Sequence, residues 1–213
     1  ENDKTESSGE AILIKELSNY KILDIFAGSD HSICYGCLKY FSKRKGISNK
    51  YVKINKKPYY IFVWGDNSLN QLGLKKRKEK DIVLKPTKLS LSENLYSHAI
   101  SNDSLNILTG GLNFTAILFN SGKLFTFGEN SYNQIMTNNG DDSPCLMSNY
   151  IPKEYGIINK IITSANSLML ITNKNKRLIF GKFNERDYSI IHIINFNINY
   201  FNVEFIFTDN ILK

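Results

Sequence analysis

Two ten-residue segments of this chain, WGDNSLNQLG at Trp64 to Gly73 and FGENSYNQIM at Phe127 to Met136, share aromatic-Gly-acid-Asn-Ser and Asn-Gln in the same register. A chemical motif seldom needs to occur twice, whereas a repeated supersecondary unit must carry its turn signals in every copy. The repeat therefore points to architecture. A third copy, RLIFGKFNE, keeps the aromatic-Gly pair at Phe180 and Gly181 and an Asn at Asn184, but lacks the Asn-Gln. A second landmark lies upstream of each copy: FAGSDHSICY from Phe26, LTGGLNFTAILF from Leu108 and ITSANSLMLI from Ile162. Gly111 to Gly128 and Ser164 to Gly181 are both 17 residues apart, so copies two and three align without a gap at a period of 53. In copy one the matching interval, Gly28 to Gly65, is 37 residues, which places an insertion of 20 between His31 and Tyr60. The closing VEFIFTDNILK restarts the pattern.

Within a copy the pattern is that of short strands. Leu105 to Thr109, Thr115 to Phe119 and Lys123 to Phe127 are rich in Ile, Leu, Phe and Thr, and Asn120-Ser121-Gly122 supplies turn chemistry between the last two. PTKLS from Pro86 and IPKEY around Pro152 are expected to begin the outer strands, where proline is tolerated. Only Ala11 to Tyr20 shows even a weak helical stripe. Several strands per period of about 50 residues, with a Gly and aromatic signature, describe a β-propeller blade. Gly65, Gly128 and Gly181 are then the strand-end positions where the backbone turns or another strand approaches closely. Trp64, Phe127 and Phe180 are expected to pack between blades. Asn67 and Asn130 suit the tight turn, since their side chains can bond the local backbone.

The residues AGSDHS, FNSGKLFTFGENSYNQ and VWGDNSLNQLGL, followed by Pro86-Thr-Lys-Leu, resemble the repeats of the regulator of chromosome condensation family, over about residues 20 to 185. The resemblance implies a seven-bladed propeller. The expected fold class is all-β, a partial propeller of about three four-stranded blades plus the start of a fourth, as an excerpt of such a ring. Blade one is expected at about 20–90 with a Lys-rich insertion near 38–58, blade two at about 100–155, blade three at about 156–200 and the fourth from 201 to 213. Residues 1 to 10 read as a polar, mobile N-terminus. The sequence departs from the family pattern at Phe114 and Ser167, where His31 has its counterparts, and at Asn70 and Asn133, where the family's turn carries Gly.

The formal charge of +7 is local: residues 39 to 80 hold 13 basic and 2 acidic side chains, so the remainder is net acidic. Lys43, Arg44 and Lys45 in the insertion and Lys75, Lys76, Arg77 and Lys78 after the turn form the candidate basic patch. Such a patch suits phosphate backbones or an acidic partner, and Lys75 to Lys78 also fits a short nuclear-import signal. The alternative is a solvated loop in a chain rich in Lys, Asn and Ile throughout.

Cys34-Tyr-Gly-Cys37 has no second pair and no His pair at zinc-finger spacing, and the odd count of three cysteines favours a reducing, intracellular compartment. His31, His98 and His192 are scattered without a nucleophile at a recognisable spacing, and His31 reads as a blade-packing residue. Asp141 and Asp142 lack the alternating ligands of a calcium loop. The expectation is a non-catalytic protein-binding scaffold without metal or cofactor and without a membrane partner. The resemblance adds an alternative, guanine-nucleotide exchange on a Ran-type small GTPase with chromatin or nucleic-acid docking through the basic blade.

Overall fold

The structure is a computed structural model that describes residues 11–39, 59–74, 81–89, 103–136, 144–183 and 186–193. Residues 1 to 10, most of the expected insertion near 38–58 and the expected fourth copy at 201–213 lie outside the described residues.

Among the described residues the strands form three antiparallel four-stranded sheets. The first holds β1 (Tyr20–Ala27), β2 (His31–Leu38), β3 (Tyr59–Asp66) and β4 (Ile82–Lys88). The second holds β5 (Leu105–Gly110), β6 (Phe114–Phe119), β7 (Leu124–Gly128) and β8 (Cys145–Leu146). The third holds β9 (Ile158–Thr163), β10 (Ser167–Thr172), β11 (Arg177–Phe183) and β12 (Arg186–Ile193). Strands pair in sequence order within each sheet, and the first strands lie side by side, β1 against β5 and β5 against β9. Sheets stacked face to face around adjacent first strands are propeller blades. The chain is all-β, and its fold is a partial β-propeller.

The apolar pattern explains the stacking. The β6 run FTAILF is buried at every position. Because successive side chains leave a strand on opposite faces, such a run needs cover on both sides. Ile117 and Phe119 face blade one, in a cluster with Ile33, Val63 and Leu72. Phe114, Ala116 and Leu118 face blade three, in a cluster with Leu168, Leu170 and Phe180. The hairpin between β6 and β7 turns at Gly122, whose φ is +84°, with the Gly122 N–H donating to the Phe119 carbonyl at 2.8 Å.

The outer strands differ from expectation in blade two. There IPKEY forms no strand; two 3-10 turns, Met147–Tyr150 and Lys153–Tyr155, occupy the segment after the two-residue β8. Pro152 has no N–H to give a ladder, and its carbonyl instead accepts the Tyr155 N–H at 3.0 Å. In blade one Pro86 does sit within β4, the outermost strand of its sheet. The Ala11 to Tyr20 stripe yields one 3-10 turn, Lys15–Leu17.

Candidate functional site

The turn unit closes each of blades one and two through an asparagine side chain. Asn67, fully buried, accepts the Leu72 N–H on Oδ1 at 3.1 Å, and its Nδ2 donates to the Leu74 carbonyl at 3.2 Å and to Asp81 Oδ2 at 3.1 Å. Asn130 repeats the first of these bonds, accepting the Ile135 N–H at 3.0 Å. Asn70 (φ +62°) and Asn133 (φ +57°) are left-handed residues of the turn, whereas Asn67 and Asn130 are not. These are the positions where the resembled family carries Gly, and asparagine is the residue that best tolerates that conformation with a side chain present. Asn67→Asp replaces the Nδ2 donor by an oxygen facing a carbonyl and the Asp81 carboxylate, so a loss of about 3 kcal/mol is expected in urea unfolding at neutral pH. A loss below about 0.5 kcal/mol would show that the side chain does not bridge the turn.

Gly65, Gly128 and Gly181 abut the first turn of their own blade. The following N–H groups, of Asp66, Glu129 and Lys182, donate to the carbonyls of Asp30, Asn113 and Asn166 at 2.7, 2.9 and 2.9 Å. The aromatic partners differ in their surroundings: Phe127 and Phe180 are buried between blades, whereas Trp64 is half-buried.

Neighbouring blades are also joined by polar bonds. Along the ring, the Ser29 N–H donates to the Leu112 carbonyl at 3.0 Å and the Leu112 N–H to the Ala165 carbonyl at 2.9 Å. Deeper in, His31 Nε2 lies 3.1 Å from Thr115 Oγ1, which donates to the Gln71 carbonyl at 2.8 Å. With its single hydrogen committed, the Thr115 hydroxyl accepts from His31, so the imidazole carries its proton on Nε2. Nδ1 is buried without a hydrogen-bond partner among the described residues.

Burial holds the His31 imidazole down to about 4, against the nearby Asp66 and Asp30 carboxylates, which favour the charged form. A folded pKa below the unfolded value means that the unfolded chain binds the proton first. Stability is therefore full above about pH 6.5 and falls as pH drops toward 4, by about 3 kcal/mol from this residue. His31→Phe, which copies Phe114 of blade two, should remove this component from unfolding free energies measured between about pH 7 and 4.5. An unchanged difference between those pH values would refute it.

The carboxylates at this end of the blades serve their own turns. Asp66 accepts from Ser68 N at 3.0 Å, Ser68 Oγ at 2.7 Å and Gln71 Nε2 at 2.9 Å. Partial burial works against its charge, but the Ser68, Gln71 and Asn67 hydrogen bonds outweigh it and hold the carboxyl below its usual range. Glu129 accepts from Asn113 Nδ2 at 3.0 Å and Ser131 Oγ at 2.9 Å. Among the described residues no three His, Cys, Asp or Glu side chains come together as a metal site. Cys34 and Cys37 are buried free cysteines on β2, and burial pushes the Cys34 thiol up to about 11. Among the described residues no helix is long and apolar enough to cross a membrane.

Lys43, Arg44, Lys45, Lys75, Lys76, Arg77 and Lys78 lie outside the described residues, as do His98, Asp141 and Asp142. Their flanks are described: the first run connects Leu38 of β2 to Tyr59 of β3, and the second lies between Leu74 and Asp81, on the way from β3 to β4. The described residues that bound β3 on the two sides, Tyr59 and Asp66, stand about 25 Å apart for a strand of eight residues.

The blade order, the first-strand packing and the repeated turn unit define the blades of a β-propeller, and solved structures share this fold. Human WBSCR16 superposes with a TM-score of 0.55 at 14% identity, over 82% of this chain and 38% of that one. Yeast RCC1 (Prp20), solved with Kap60 bound, superposes with a TM-score of 0.52 at 13% identity, over 85% of this chain and 50% of that one. The chain therefore spans half or less of the length of these two propellers. No protein-family model matches the sequence, and no curated protein matches it.

Proposed function

We propose that this chain is a non-catalytic scaffold that binds a protein partner through the connections at the ends of its blades. The observation that carries this reading is a constant strand frame with inconstant connections. At one end the chain passes from Asp66 to Ile82, from Gly128 to Cys145 and from Phe183 to Arg186; at the other, from Leu38 to Tyr59, from Phe119 to Leu124 and from Thr172 to Arg177. A rigid frame that displays variable connections places recognition in those connections. The basic runs at Lys43 to Lys45 and Lys75 to Lys78 then bias the choice toward acidic surfaces.

The fold shared with yeast RCC1 (Prp20), which was solved bound to Kap60, makes Kap60 the first protein to try, with a Ran-type GTPase beside it. The test is titration calorimetry of the full chain against both proteins, with release of fluorescent GDP from the GTPase followed in parallel. The scaffold reading expects binding without faster GDP release, and loss of binding when Lys75, Lys76, Arg77 and Lys78 are all replaced by Ala with the melting temperature unchanged. Many-fold acceleration of GDP release would replace it by nucleotide exchange. Binding to DNA with a steep salt dependence, abolished by the same four substitutions, would instead place nucleic acid at the basic connections.

A further inference from the structure

The geometry points to a cation site on blade one, separate from whatever the connections bind: the Tyr20 and Tyr60 rings form a corner that takes a methylated ammonium group in place of the Lys88 side chain. The two rings meet at 5.6 Å between centroids and 73° between planes, and Phe62 closes the inner side, 4.7 Å from Tyr20 at 68°. A cation already fills the corner. Lys88, an exposed residue opposite Phe62 on β4, holds its Nζ 4.3 Å from the Tyr60 centroid and 5.8 Å from that of Tyr20. Among the described residues no carboxylate pairs with this ammonium. What holds it is the negative potential of the ring faces, which attracts any ammonium group that reaches them.

Lys88 is an occupant that other cations can displace. Its primary ammonium is strongly hydrated and rides on a flexible stem, so it gives up water to lie on the rings and regains both water and rotamer freedom when it swings aside. A methylated ammonium keeps the charge, has fewer N–H groups to desolvate and presents methyl groups to the rings. It therefore takes the same place at a smaller desolvation cost, which is why aromatic corners select such groups.

The strands explain how the corner forms. On β2 the residue between the two rings is Gly36, the partner of Ile22 on β1 and of Tyr60 on β3. With no side chain there, rings from β1 and β3 meet across the middle strand. The repeat shows that a propeller blade does not require this pair: the same positions hold Asp103 and Lys123 in blade two, and Gly156 and Lys176 in blade three. Those four residues are half-buried, although Phe125 and Leu178, two positions beyond the lysines, are buried in the clusters between blades. A blade packed on the sheet thus leaves this rim open to solvent, and Tyr20 and Tyr60 are themselves half-buried.

The experiment follows the tyrosine ring resonances of the full chain by NMR during titration with choline, with its uncharged isostere 3,3-dimethylbutan-1-ol, and with a glycine-flanked peptide that carries trimethyl-lysine. Sodium chloride at matching concentration controls for ionic strength. Choline and the peptide should shift the Tyr20 and Tyr60 signals, and the isostere should bind roughly tenfold more weakly, because it lacks the charge that the rings attract. Lys88→Ala empties the corner and should tighten choline binding several-fold. Tyr60→Lys, which copies Lys123 and Lys176 of the other blades, should abolish binding at an unchanged melting temperature. Whichever of choline and the peptide binds more tightly identifies the source of the group, a small molecule or a modified protein. The proposal is overturned if choline and its isostere bind alike, if Lys88→Ala binds choline no better than wild type, if neither protein binds choline or the peptide, or if binding survives Tyr60→Lys in the folded chain.

Discussion

Gly128→Val is expected to be the most damaging single substitution among those at the repeated turn, lowering unfolding free energy by about 3–5 kcal/mol. Two independent costs add. Gly128 has φ +117°, which a β-branched residue adopts only with strain. A side chain there also meets backbone that cannot swing away: an added Cβ would stand 2.4 Å from the Asn113 carbonyl oxygen and 2.7 Å from Phe114 Cα. Relief requires pulling β7 from the first turn of its own blade, which breaks the Glu129 N–H bond to Asn113. Urea unfolding followed by circular dichroism measures the loss. Gly128→Ala serves as the comparison, since it shares the Cβ contact without the β-branch and should cost less but remain clearly destabilising. A Val variant within about 0.5 kcal/mol of wild type would mean that the turn and strand are not locked at this residue.

Phe127→Ala is the second, with an expected cost of about 3–5 kcal/mol. The ring is 2% exposed and sits where blade one and blade two meet, against Gly73 and among Ile33, Val63 and Leu72. Two rigid sheets cannot collapse into the space that the ring leaves, because each is tied by its own ladder and by the rail from Ser29 to Leu112. The cavity cost is therefore close to fully retained. The informative comparison is Trp64→Ala, the same position one blade earlier. Only half-buried, the larger residue should cost less, about 1 kcal/mol, because half-exposed surface returns little on burial. Equal losses at the two positions would mean that Trp64 is already covered.

Both predictions rest on residues that the sequence singles out by repetition, and the repeat was the most legible feature of this protein. Its signal survives because the turn unit asks for particular residue types: glycine where the backbone has positive φ and no space for a Cβ, asparagine where a side chain must bond the turn's own backbone. The hairpins of blade two were legible for the same reason, since FTAILF, Asn-Ser-Gly and LFTF encode strand, turn and strand locally. IPKEY was misread because proline at an outer edge suits both a strand start and a 3-10 turn, and only the packing of Met147 and Ile151 between blades two and three selects the turns.

The inter-blade bonds had little local signal. Nothing near Thr115 in the chain indicates that its hydroxyl bridges His31 and the Gln71 carbonyl, 84 and 44 residues away. The basic runs at Lys43 to Lys45 and Lys75 to Lys78 show the converse, a strong local signal that lies outside the described residues. By itself, then, the sequence determined the class of fold and the repeat that builds it, because these depend on periodicity and on backbone conformations that few residues tolerate. Only the tertiary structure decided which face of each strand meets which blade, that His31 is held neutral, and that Trp64 is half-buried while Phe127 is fully buried. Those properties depend on which neighbour excludes water from a side chain, and that neighbour lies on another blade.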